Sequence, residues 1–285
     1  MLATIGFFDG VHKGHKFLIS QVKEQARMRG LRSAVITFDR HPREVIYNKV
    51  SKLLTPADEK VRRLKAEGID ECIVIPFTLG LSQLSAYEFM QMLRDDYGIK
   101  ALQIGFDNCF GHGLTDGYEN YVMYGEKLGI DIMQAKPMLI DEEKVSSSKI
   151  KALLAEGRVE DANSLLGYEY SISGKVVKGN QIGTSIGFPT ANIGCVPEDK
   201  LIPKAGAYVA TALGHKAMLN IGTNPTVSES NKMTIEVHID DFNEDLYGQE
   251  LTVSLCRRLR DEQCFPSLAA LKRQLSSDLQ EVRNS

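Results

Sequence analysis

The chain lacks several features that would each have named a class of protein. It has no tryptophan, which decides nothing by itself. No apolar run approaches the roughly 18 residues that a membrane span requires. The opening Met1-Leu2-Ala3-Thr4-Ile5-Gly6 has neither the basic nor the apolar region of a secretory signal. Cysteines are few, at Cys72, Cys109, Cys195, Cys256 and Cys264, and no pair has CxxC spacing. That disfavours a zinc site or a disulfide framework and leads to the expectation of a reduced, cytoplasmic protein. Charge of one sign is also missing, since 34 Lys and Arg stand against 37 Asp and Glu. With a net charge of -3, and both halves faintly acidic, there is no bulk attraction to nucleic acid or to an anionic membrane. What remains is 285 residues, 43% hydrophobic and 25% charged, a soluble globular composition long enough for one large domain or two ordinary ones.

Periodicity divides the chain. Up to about residue 166, short apolar runs (2–6, 33–37, 72–76 and 101–105) alternate with amphipathic stretches. In the stretch 16–29, Leu18, Val22 and Ala26 fall on one stripe and Gly30 follows as a stop. Ser85-Ala86-Tyr87-Glu88 reads as a capping box opening a helix to about Tyr97. Alternating β and α predicts an open parallel sheet with ligands at the carboxyl ends of its strands. Two short helical stretches, 148–155 and 159–165, precede Gly167. Strand-like runs follow at 171–177, 207–213, 216–220, 234–239 and 251–255, and then an amphipathic stretch, 267–283, carrying Leu268, Leu271, Leu275 and Leu279. Strands followed by one helix predict a small β-barrel closed by that helix. The expected division is 1–166 and 167–285, with no low-complexity linker between.

Directly after the first strand comes Gly6-Phe7-Phe8-Asp9-Gly10-Val11-His12-Lys13-Gly14-His15. Glycines let a backbone approach a ligand closely, and the helix that follows offers unpaired N–H groups to an anion. His12 and His15, three apart on the opening turn, can turn both rings toward one phosphate. This segment resembles the GxFDGxHxGH form of the HxGH nucleotidyltransferase signature. The resemblance implies that Gly6, Phe8, Asp9, Gly10 and Gly14 form an ATP-binding loop, with His12 and His15 stabilising charge at the α-phosphate as pyrophosphate leaves. Ser146, Ser147 and Ser148, with Lys151, are similar to that family's SSTxIR element and imply ligands for the β- and γ-phosphates. The segment 37–45, Thr-Phe-Asp-Arg-His-Pro-Arg-Glu-Val, resembles the TFxPHPREV segment of bacterial FAD synthetases, so His41, Pro42 and Arg43 are expected beside the flavin. Asp107 belongs to a third element, usually DFRFG, in which Cys109 and Leu114 stand where arginine is common.

The second half carries Gly183-Thr184-Ser185-Ile186-Gly187-Phe188-Pro189-Thr190-Ala191-Asn192. Its glycines and proline force an irregular backbone. It resembles the GFPTAN signature of riboflavin kinases, which implies that Gly183, Gly187, Pro189, Thr190 and Asn192 bind ATP, with Thr190 and Asn192 also holding Mg²⁺ through hard oxygen donors. Strand alternation places Glu236 and His238 on one face. Glu236 matches the family's catalytic base, and Arg260 and Glu262 are expected on the flavin side. Taken together, the two signatures resemble the bacterial bifunctional riboflavin kinase/FMN adenylyltransferases (FAD synthetases). That implies an α/β Rossmann-like nucleotidyltransferase domain followed by a small antiparallel β-barrel kinase domain with a C-terminal helix. It also implies riboflavin, FMN, FAD and ATP as substrates or products, Mg²⁺ as cofactor, and a monomer or weak homo-oligomer with small-molecule partners alone. Family members usually carry a short extension before the first strand, so a shortened start is expected here. The alternative readings are a riboflavin kinase whose adenylyltransferase is impaired at Cys109 and Leu114, and a non-catalytic flavin- or nucleotide-binding module.

Overall fold

The computed structural model describes residues 1–105, 109–112, 117–140, 143–179, 182–223 and 233–285. They form two compact units, Met1–Ser147 and Ser148–Ser285. The first contains β1 (Leu2–Ile5), α1 (Lys13–Met28), β2 (Ser33–Phe38), α2 (Pro42–Tyr47), α3 (Ala57–Ala66), β3 (Glu71–Ile75), α4 (Leu79–Ser82) and α5 (Ala86–Tyr97). It continues with β4 (Ala101–Ile104), α6 (Tyr118–Leu128), β5 (Asp131–Gln134) and a hairpin of β6 (Leu139–Ile140) with β7 (Glu143–Lys144). Five strands make one sheet in the order β3-β2-β1-β4-β5. Every neighbouring pair is parallel.

β1 and β2 are buried along their whole length, as parallel strands covered on both faces must be. On α1 the buried residues are Ile19, Val22 and Ala26, with Leu18 half-buried beside them, so the apolar stripe is one residue wider than the sequence spacing suggests. The expected capping box is present: Ser85 Oγ accepts from the Glu88 N–H, and the Ser85 N–H donates back to Glu88 Oε2 at 2.9 Å. Because β2 and β4 lie on opposite sides of β1, the winding reverses there. Open parallel sheets bind ligands beyond the carboxyl ends of their strands at such a reversal, and the chain leaves β1 at Gly6 on that side.

The second unit holds α7 (Ser147–Glu156, its first residue counting with the first unit), α8 (Val159–Leu166), β8 (Tyr170–Val177), α9 (Ile182–Ser185) and β9 (Ala191–Gly194). After these come β10 (Gly206–Ala212), β11 (His215–Thr223), β12 (Met233–Ile239), β13 (Glu250–Arg260) and α10 (Leu268–Asn284). Six strands close a barrel in the order β10-β11-β12-β9-β8-β13, all pairs antiparallel. α8 packs on β13, where Asn163 Nδ2 donates to the Leu255 carbonyl at 2.8 Å and Asn163 Oδ1 accepts from the Tyr170 N–H. The two helices before Gly167 therefore group with the barrel, whereas the sequence reading counted them with the sheet.

α10 has Ser267 as its N-cap, whose hydroxyl accepts from the Ala270 N–H. Its leucine stripe is only partly inward. Leu268 is 56% exposed, while Val282 is fully buried among Phe188, Val209 and Met218. The other buried residue of the helix is an acid, Asp278.

Candidate active sites

The loop after β1 is strained. Phe8, Gly10 and Val11 all take positive φ, at 56°, 83° and 36°. For phenylalanine and a β-branched valine that conformation is costly, and it persists only where surrounding contacts impose it. Asp9 imposes much of it: buried at 4% exposure, its Oδ1 accepts from the Leu54 and Thr55 N–H groups at 2.8 and 3.1 Å. Thr55 Oγ1 in turn accepts from the Gly10 N–H at 2.9 Å. Ser147, the last residue of the first unit, donates through Oγ to the Asp9 carbonyl at 2.8 Å.

His12 is the N-cap of α1 and its Nδ1 accepts from the His15 N–H at 3.3 Å. An accepting Nδ1 leaves the ring proton of the neutral imidazole on Nε2, the donor end. The His12 and His15 rings stack with centroids 3.6 Å apart. Gly14 leaves room for it, since a Cβ there would lie a tight 3.2 Å from His12 Nδ1 and Cε1. His41 caps α2 by accepting from the Arg43 N–H, and its ring meets Phe7 edge-on at 4.6 Å. Sequence reasoning missed Lys60 here. It is 1% exposed, donates to the Phe38 carbonyl at 2.8 Å and sits 3.7 Å above the Phe7 ring. Pro42 opens α2, and Arg43 is exposed. Ser146 and Ser148 flank the start of α7, and Lys151 is half-buried within that helix. Cys109 is exposed, whereas Asp107 and Leu114 lie outside the described residues.

In the barrel, β12 separates two cavities by simple alternation. Glu236 and His238 face one of about 230 Å³, which Phe188, Met218, Asn220, Arg260, Glu262, Leu275 and Asp278 also line. Val237 and Ile239 face another of about 320 Å³, with Val176, Thr184, Pro189, Phe242 and Tyr247. Thr190 borders both. Glu236 is flanked across the sheet by Asn220 on β11 and by Asn192 on β9. Burial holds the Glu236 carboxyl above its ordinary range, against the opposing pull of a hydrogen bond from the Thr190 side chain.

The chain arrives at Thr190 through a tight turn in which Phe188 N–H donates to the Gly183 carbonyl at 2.8 Å and Gly187 sits at φ 92°. A Cβ on Gly183 would lie 2.2 Å from the Phe188 carbonyl oxygen, so no other residue fits there. Arg260 makes a forked ion pair with buried Asp278 on α10, with Nη2 to Oδ2 at 2.7 Å and Nε to Oδ2 at 3.0 Å. Glu262 lines the same cavity, its Oε1 2.5 Å from where a Cβ on Gly222 would stand. Cys256 and Cys264 remain free thiols; burial and then Glu169 push Cys256 up to about 12. Among the described residues no group of three or more His, Cys, Asp or Glu is placed to hold a metal. The oxygen donors near Glu236 are the Thr190 hydroxyl and the Asn192 carboxamide, a hard set that suits Mg²⁺ arriving with a nucleotide.

A strained glycine-rich loop at the switch point of a parallel sheet, and a barrel in which Thr190 borders two cavities and Glu236 faces one of them, suit chemistry on phosphates in each unit. Residues 1–149 match the family described as FAD synthetase, and residues 166–285 match the family described as riboflavin kinase. The bifunctional riboflavin kinase/FMN adenylyltransferase of Listeria monocytogenes is 37% identical over 287 residues, covering 98% of this chain and 90% of the relative. That of Escherichia coli K12 is 35% identical over 282 residues, covering 96% and 89%. The chain belongs to the bifunctional riboflavin kinase/FMN adenylyltransferase family. A solved structure from Streptococcus pneumoniae, described as a macrolide-efflux protein, superimposes with a TM-score of 0.90 at 30% identity, covering 100% of this chain and 94% of that one. The efflux description stays with that protein; no helix among the described residues is long and apolar enough to cross a membrane.

Proposed function

We propose that the chain makes FMN from riboflavin and ATP in its barrel, and FAD and pyrophosphate from FMN and ATP on its sheet. Family membership makes it a transferase of flavin cofactor synthesis; the assignment of each step to residues is our reading. The observation that carries the kinase step is Thr190, which borders both cavities and hydrogen-bonds Glu236. Riboflavin occupies the 230 Å³ cavity with its 5′-hydroxyl at Glu236, and ATP the 320 Å³ cavity with its γ-phosphate at Thr190. Glu236 takes the hydroxyl proton as the oxygen attacks phosphorus, the bond to the ADP oxygen breaks, and ADP leaves. Mg²⁺, held by Thr190 and Asn192, supplies charge neutralisation between the phosphates when bound. Arg260 acts on the flavin side mainly by holding α10 through Asp278.

On the sheet, an oxygen of the FMN phosphate attacks the α-phosphorus of a second ATP and pyrophosphate leaves. His12, His15 and the N–H groups opening α1 offset the charge that develops, Gly14 lets the rings pack, and Asp9 and Gly10 hold the loop. Ser146, Ser147, Ser148 and Lys151 are assigned to the β- and γ-phosphates, and His41, Pro42, Arg43 and Asp107 to the flavin. The adenylyltransferase residues lie within 1–166 and the kinase residues within 167–285. The reading includes a cytoplasmic setting, supported by the five free thiols, and a monomer or weak homo-oligomer. Incubating the pure chain with riboflavin, ATP and Mg²⁺ and separating the flavins tests it. FMN followed by FAD is expected; FMN that accumulates without FAD would defeat the adenylyl-transfer step.

A further inference from the structure

We propose that His238 is a positioning residue for phosphoryl transfer, fixing the Pro189–Thr190 peptide from the same strand face that carries Glu236. The proposal rests on the kinase reading above. His238 is 8% exposed and its Nδ1 lies 2.8 Å from the Pro189 carbonyl oxygen. A carbonyl only accepts, so Nδ1 carries the proton and donates. That oxygen belongs to the peptide group joining Pro189 to Thr190, and its direction sets where the Thr190 backbone and hydroxyl point.

The segment needs such a hold. Residues 188–190 run irregularly between α9 and β9, outside any strand ladder, and proline supplies no N–H of its own. β12 grips them at two points. Thr190 is held by its side chain on Glu236, and Pro189 by its carbonyl on His238. Phe188 completes the grip, its ring edge-on to the imidazole at 5.4 Å. Base and phosphate-facing hydroxyl are thus aligned by one rigid strand. An error of about 1 Å in such an alignment costs on the order of 10²-fold in rate.

The test compares His238→Asn, whose amide nitrogen stands near the Nδ1 position and can donate, with His238→Gln, which places its amide further out, and His238→Phe, which keeps bulk but no donor. FMN formation is measured with riboflavin and ATP varied separately, alongside the thermal midpoint and FAD formation from supplied FMN. In His238→Phe, kcat for FMN formation is expected to fall on the order of 10- to 100-fold, with the riboflavin KM within about twofold. His238→Asn should recover to within a few-fold of the unaltered chain and His238→Gln should not, while FAD formation from FMN stays unchanged in all three. Equal losses in the Asn and Phe variants that track the thermal midpoint would make His238 a packing residue and overturn the proposal, as would an effect confined to the riboflavin KM. If the unaltered chain made no FMN, the kinase reading itself would fall and this role with it, an outcome visible before any variant is compared.

Discussion

In the proposed kinase step Glu236 has to be ionised to accept a proton, yet its surroundings favour the neutral acid. Burial raises its pKa, and the Thr190 hydroxyl partly restores the charged form by donating to it. The rate of FMN formation should therefore fall with acidification at a pH above the ordinary glutamate range. Thr190→Val removes the opposing hydrogen bond, so in the residual activity this acid limb should move to still higher pH; a limb that stayed in place or moved down would refute the assignment. Glu236→Gln should lower FMN formation by about 10²- to 10⁴-fold, the usual contribution of a general base. The same change bears on stability with a definite sign. A carboxyl whose pKa is raised by folding holds more protons folded than unfolded, so its contribution is favourable below the unfolded pKa and is lost as pH rises through the folded one. At neutral pH the glutamine variant should melt no lower than the parent, which thermal unfolding at pH 5 and pH 8 would check.

At the scale of elements, α10 decides whether the smaller cavity has a wall. Leu271 and Leu275 line that cavity, and Asp278 binds Arg260 of β13 while nearly buried, at 3% exposure. Removing one partner of a buried pair leaves the other charge uncompensated, at about 3–5 kcal/mol. Asp278→Ala should lower the unfolding midpoint of the barrel unit and weaken riboflavin binding together; tight binding with an unchanged midpoint would show that α10 is held by its leucines alone. The sequence could not show this acid as part of a core, because its partner lies 18 residues away on another element. The leucine spacing of α10 was legible, but it pointed to Leu268, which stands in solvent. β1, β2 and α5 were readable because continuous apolar runs or a capping box write themselves locally. β5, α3 and β9 were not. β5 is an edge strand with no buried residue, α3 buries Lys60 beside Leu64, and β9 has only four residues, beginning within the turn-rich GFPTAN segment. The motifs picked out residues of both candidate sites, yet Lys60 and Asp278 escaped notice because their placement comes from approaches between distant elements.

For the molecule as a whole, near-balanced charge means neither site can rely on a global positive field to gather phosphates. In the function proposed above each draws on its own local donors: N–H groups and imidazoles on the sheet, hydroxyl and carboxamide with Mg²⁺ in the barrel. Separate donor sets imply separable steps, and single substitutions can divide them. His12→Asn is the cleaner choice on the sheet, since asparagine is itself a favoured N-cap and spares the start of α1 while removing the imidazole. It should lower FAD formation from FMN by about 10²-fold or more, in the range of a lost transition-state donor, and leave FMN formation untouched. Glu236→Gln should do the reverse. Neither variant alone should then convert riboflavin to FAD at an appreciable rate. Mixed in one vessel with riboflavin, ATP and Mg²⁺, the two should restore FAD synthesis after a lag, because FMN made by the first variant reaches the intact sheet site of the second through solution. If the mixture stayed inactive while each variant kept its single step, FMN would have to pass within one chain, and the picture of two self-sufficient sites would fail.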